Sequence, residues 1–94
     1  MFTISQLRKL GFFTLPKNGG MGLKGFDDLN LVPTEIGLIV KDILRIVNSS
    51  IFQSNPETYI AAWEAQRGPT TELRLPDDVS YQFVRENIKV FTKN

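Results

Sequence analysis

Pro33-Thr34-Glu35-Ile36-Gly37-Leu38-Ile39-Val40-Lys41-Asp42-Ile43-Leu44-Arg45-Ile46-Val47 is the most strongly patterned stretch of the chain. Ile36, Ile39, Val40, Ile43 and Val47 recur at i, i+3, i+4, i+7 and i+11, the spacing of one helical face, and Leu38, Leu44 and Ile46 widen that face. Gly37, Lys41 and Arg45, with Asn48 beyond them, leave only a narrow polar stripe, and Asp42 lies beside it. Thr34 is the expected N-cap, Glu35 suits the first turn, and Asn48-Ser49-Ser50 marks the end. A helix apolar around most of its circumference belongs at the centre of a fold or in an interface between chains.

The flanking segments supply further helices. Upstream, Ile4, Leu7 and Leu10 repeat every three residues between a capping Thr3 and a terminating Gly11. Phe12 and Phe13 follow as anchors. Downstream, Asn55-Pro56-Glu57 is a helix start with its proline at the first helical position, and Gly68-Pro69 is its stop. Residues 78–87 carry Tyr81 and Val84 at helical spacing. Thr71, Leu73 and Leu75 alternate with Glu72 and Arg74, and Ile88, Val90 and Thr92 also alternate, which predicts two C-terminal strands pairing as a ribbon. The expected fold class is therefore mostly α (α+β): three to four short helices around a central apolar helix, with a small C-terminal two-stranded ribbon. Ninety-four residues make a single domain, 1–94. Within it, residues of about 14–30, holding Gly19, Gly20, Gly22 and Gly25, read as a mobile glycine-rich loop.

Composition excludes much chemistry. With no cysteine and no histidine, there is no disulfide, no thiolate nucleophile, no Ser-His-Asp arrangement and none of the usual zinc or iron sites. Gly20-Met21-Gly22-Leu23-Lys24-Gly25 spells a dinucleotide fingerprint, but no strand signal leads into it and Asp27-Asp28 stands where the phosphate would lie. The paired carboxylates Asp27-Asp28 and Asp77-Asp78 fit helix or turn starts better than a cation loop. No catalytic residue, cofactor or metal is expected. Lys41 and Arg45 stand one turn apart on the long helix, and Glu57 and Glu64 on the next helix are expected to answer their charge.

Eleven basic against ten acidic residues give a net charge of +1. They are unevenly placed: residues 1–25 hold four bases and no acid, and the remainder holds seven bases and ten acids. The expected function is a non-enzymatic interaction protein, an adaptor, regulator or assembly subunit with a protein partner. Its interface candidates are Leu38, Ile46 and Trp63, and the width of the apolar helix predicts a two-fold homodimer through that helix. The alternative is a nucleic-acid-binding regulator using Arg8, Lys9, Lys17 and Lys24, interleaved with Phe2, Phe12, Phe13 and Phe26. The longest apolar run, Ile36–Val40, falls well short of the roughly 20 residues of a membrane span. Arg8 and Lys9 interrupt the apolar residues of the N-terminus, unlike a secretory leader. A cytoplasmic protein without membrane contact is the corresponding expectation.

Overall fold

Pro33 occupies the first position of helix α2 (Pro33–Val47), where its missing N–H is no loss. Because proline already holds the helical φ, the helix opens before Thr34, and Val32 takes the N-cap position in place of that residue. The Glu35 carboxylate accepts the Val32 amide at 3.2 Å. The helix closes at Asn48. Ile36, Ile39, Val40, Ile43, Ile46 and Val47 are buried, six of the sixteen buried hydrophobic side chains among the described residues.

The computed structural model describes residues 1–15, 20–29, 31–68 and 76–92. Besides α2 the chain forms, in order, α1 (Ile4–Lys9), β1 (Phe13–Thr14), β2 (Gly22–Leu23), α3 (Ser50–Ser54), α4 (Pro56–Arg67), α5 (Pro76–Glu86) and α6 (Ile88–Phe91). The chain is mostly helical with one small antiparallel sheet among the described residues. The helix starts follow local chemistry. Thr3 and Gln6 form a reciprocal capping box at α1, with bonds of 2.9 and 3.3 Å. Asn55 Oδ1 accepts the Thr58 amide at 3.2 Å above α4, with Pro56 at the first helical position. Gly68 ends α4 at φ +79°, a value that disfavours any residue with a Cβ.

The widest helix contact joins α2 to α5. Val79, Ser80, Phe83 and Val84 form the buried face of α5. Ser80 Oγ lies 2.9 Å from the Pro76 carbonyl of its own helix and 3.3 Å from the Ile39 carbonyl of α2. A side chain this small lets the two backbones approach closely. Phe83 then collects three rings from distant segments: Phe12 at 4.9 Å, Phe91 at 6.1 Å and Phe26 at 6.3 Å between centroids. At the far end of α2, Asn48 clamps the N-terminus by accepting the Phe2 amide at 2.7 Å and donating to the Phe2 carbonyl at 3.0 Å. Gln53 donates to the Val47 and Phe91 carbonyls, at 2.6 and 3.0 Å, and so ties the C-terminal helix to the same place.

Two expectations are corrected. The C-terminal residues 88–92 form no strand: Ile88–Phe91 is α6, led by Asn87, whose carbonyl accepts the Val90 and Phe91 amides. Phe91 is buried while Val90 is exposed, so the i, i+3 pair Ile88 and Phe91 packs and the alternating one does not. The proposed partner strand, 71–75, lies outside the described residues. The sheet sits instead in the glycine-rich stretch, pairing Phe13 with Leu23 and Thr14 with Gly22. A turn from Leu23 to Phe26, with Gly25 at φ +93°, then delivers Phe26 into the core. Leu23 and Phe26 are both buried, so this stretch does contribute to packing.

The close crossing at Ser80 is checked by two substitutions. Ser80→Ala removes one hydroxyl from carbonyls that α-helical amides can also serve and should cost about 1 kcal/mol or less. Ser80→Leu must push α5 off α2 and should cost about 2–3 kcal/mol in chemical denaturation, from a total of about 5–15 kcal/mol. Equal costs for the two would show that the helices are not in close contact there.

Candidate functional site

An open groove of about 430 Å³ runs between α2 on one side and α1 with the β1–β2 region on the other. Ile36 and Val40 are its buried floor, and Pro33, Gly37, Lys41 and Leu44 form the α2 wall at i, i+4, i+8 and i+11. From Pro33 to Leu44 the wall is roughly 16 Å long, at about 1.5 Å per residue. Ile4, Arg8, Phe13 and Met21 make the opposite wall. Ile4 and Met21 are exposed although apolar.

Two charges border this apolar floor. Arg8 and Lys41 are exposed on opposite walls, and neither pairs with an acid among the described residues. Other bases do pair: Arg45 with Asp42 at 2.9 Å, Arg67 with Asp78 at 3.6 Å and Arg85 with Glu64 at 3.6 Å. The expected answer of Glu57 and Glu64 to Lys41 and Arg45 is thus corrected, because Asp42 one turn away reaches Arg45 first and Glu64 is engaged by α5. Gly37 adds a third feature. It is exposed inside a helix, its φ is ordinary, and a Cβ built on it would meet no atom within 4 Å. Packing within the chain does not call for glycine there, although glycine costs a helix about 1 kcal/mol relative to alanine.

The other flank of α2 is an ordered polar and aromatic cluster. Trp63 stacks on Tyr81 at 5.2 Å and 8°, Tyr81 stacks on Tyr59 at 6.2 Å, and Tyr59 meets Phe52 edge-on. The Arg67 guanidinium lies 5.2 Å from the Trp63 ring centre. Arg45 donates from Nε to Asp42 at 3.0 Å, and the neighbouring Tyr81 and Asp42 together hold its proton more tightly than in an ordinary arginine. The Asp42 carboxylate, to which only a protonated Asp77 can donate, raises the Asp77 carboxyl above the ordinary value of 3.8, helped by burial and by the Asp42 charge.

The residues singled out from sequence disperse over this surface. Leu38 is 54% exposed. It does not line the groove, although Gly37 beside it and Lys41 at i+3 do; Asp42 and Arg45 follow at i+4 and i+7. Ile46 is 0% exposed and belongs to the core, which corrects its assignment to an interface: an apolar arc on a helical wheel does not reveal how much of it the same chain covers. Trp63 is half-buried in the aromatic stack. Arg8 lines the groove; Lys9 and Lys24 are exposed; Lys17 lies outside the described residues. Phe12 and Phe26 are core side chains, so they offer no ring for base stacking. The glycine fingerprint leads through β2 into a turn, not into a helix N-terminus. No group of three or more potential metal ligands occurs among the described residues, and no helix there is long and apolar enough to cross a membrane. What sequence reading missed is the groove itself, although Gly37 and Lys41, one turn apart on the polar stripe, were its trace.

The Asp77–Asp42 pair has a measurable sign. Asp42 Oδ2 is buried and accepts no hydrogen bond from any described group, and Asp77 can donate to it only while it carries its own proton. Asp77 binds its proton more tightly folded than unfolded, so its contribution is complete below about 3.8 and is lost as pH rises through the raised value. Relative to wild type, Asp77→Asn should therefore gain stability steadily as pH is raised from the acid range to neutrality, whatever the offset between the two proteins. A stability difference that is flat with pH, or that moves against the variant, would show that folding does not favour the protonated form of Asp77.

Comparison of the chain with known protein families, with curated proteins and with solved structures found no match.

Proposed function

We propose that the protein is a non-enzymatic interaction module that seats a protein partner in the groove between α1 and α2. The observation that supports this most is the exposed glycine on the groove wall: Gly37 weakens α2, a Cβ there would meet no other side chain among the described residues within 4 Å, and the helix backbone lies open to an approaching surface. In this reading α2 is the central helix, its buried side facing α5 and its outer side forming half of the binding surface. The apolar floor fits a protein partner better than a phosphate backbone, because nucleic-acid affinity rests on dense cationic contact and stacking rings. Self-association through Leu38 would be a separate contact on another side of the helix. Catalysis has no support from a chain without histidine or cysteine and without a metal-ligand group among its described residues.

Gly37→Leu tests the reading. Its side chain enters open space in the groove, so the variant should remain folded by circular dichroism. Wild type should retain a partner from native extract after nuclease treatment, and Gly37→Leu should lose that partner, whereas Lys9→Ala should keep it. Retention by Gly37→Leu equal to wild type, or retention that nuclease abolishes, would contradict the assignment.

A further inference from the structure

We infer that the element the groove receives is an acidic amphipathic α-helix of the partner. The inference rests on the groove being the working surface and adds what fills it. Shape is the first ground. The α2 wall is about three helical turns long, and its buried floor residues Ile36 and Val40 stand one turn apart along it. Such a trough matches a rod whose apolar residues fall at i, i+3, i+4 and i+7. A flat bilayer cannot enter a concave floor.

Close approach is the second ground. Packed helices ordinarily lie about 8–10 Å apart, set by the side chains between them. At Gly37 the α2 side chain is missing at mid-wall, so a partner helix can cross there at the short end of that range. Charge is the third. Arg8 on one wall and Lys41 on the other have no acidic partner among the described residues. A helix lying between them meets both cations if it carries carboxylates on each flank of its apolar stripe. A second copy of this chain fits poorly. A two-fold contact through the groove would set Arg8 and Lys41 of each protomer against the same residues of the other.

The experiment is a selection against full-length protein from a displayed library of helices about 18 residues long, with a constant apolar stripe and flanks randomised among Glu, Lys, Gln and Ser. Wild type should enrich acidic flanks. The Arg8→Glu, Lys41→Glu double variant, altered only at exposed positions, should enrich basic ones. A selected acidic helix should shift the amides of residues 36–44, should bind about tenfold or more tightly than its Lys-flanked counterpart at low salt, and should lose that affinity with Gly37→Leu. Neutral or basic flanks that still depend on Gly37 would overturn the acidic partner while leaving the groove as a binding surface. Enrichment independent of Gly37, or none, would overturn both. Binding to vesicles of phosphatidylcholine and phosphatidylserine that shifts the same amides while no helix is enriched would replace the helix with an anionic lipid surface.

Discussion

The contact between α2 and α5 carries the structure. Ser80 reaches the Ile39 carbonyl across it, and one turn along α5 Phe83 gathers Phe12, Phe26 and Phe91. Those rings come from the segment after α1, the turn after β2 and the C-terminal helix, so three separated stretches are held by one side chain. Helices as short as α1, α3 and α6 are not stable alone. They are ordered because their apolar residues end on this platform, and because Asn48 and Gln53 fasten both chain ends to the last turn of α2.

Once α5 covers one side of α2, what remains on the other side can differ in kind. The flank nearest Tyr81 is closed by stacked rings and by charge pairs such as Arg45 with Asp42. The groove flank is left open, apolar and edged by two cations that pair with no acid among the described residues. Paired charges and stacked rings satisfy themselves, whereas an apolar floor between unanswered cations and a backbone bared at glycine is a surface short of a counterpart. The contrast between the two flanks of a single helix separates the part of the surface that serves the fold from the part proposed to serve a partner.

The long elements were legible because their periodicity is redundant. Five apolar positions at helical spacing announce α2, and Thr3, Asn55-Pro56 and Gly68 mark helix ends through groups that satisfy backbone amides or permit a positive φ. The small sheet was not legible: Phe13–Thr14 and Gly22–Leu23 are too short to show alternation, and their glycines read as loop. Ile88, Val90 and Thr92 misled in the opposite direction, since three residues fit either period and burial of Phe91 decides for the helix. Ile46 was misplaced because the pattern measures the width of an apolar face but not what lies across from it. The groove was hidden for the same reason. It exists only where α1, the β1–β2 region and α2 meet, and a glycine and a lysine one turn apart on a polar stripe do not encode that meeting.

The most direct measurement is the equilibrium stability of Gly37→Ala by chemical denaturation. If Gly37 is retained for a partner and not for the fold, alanine at this open helical position should raise stability by about 0.5–1 kcal/mol with an unchanged denaturant slope. A loss of stability would mean that the glycine serves the packing of this chain, and the groove would lose its principal support as a binding surface.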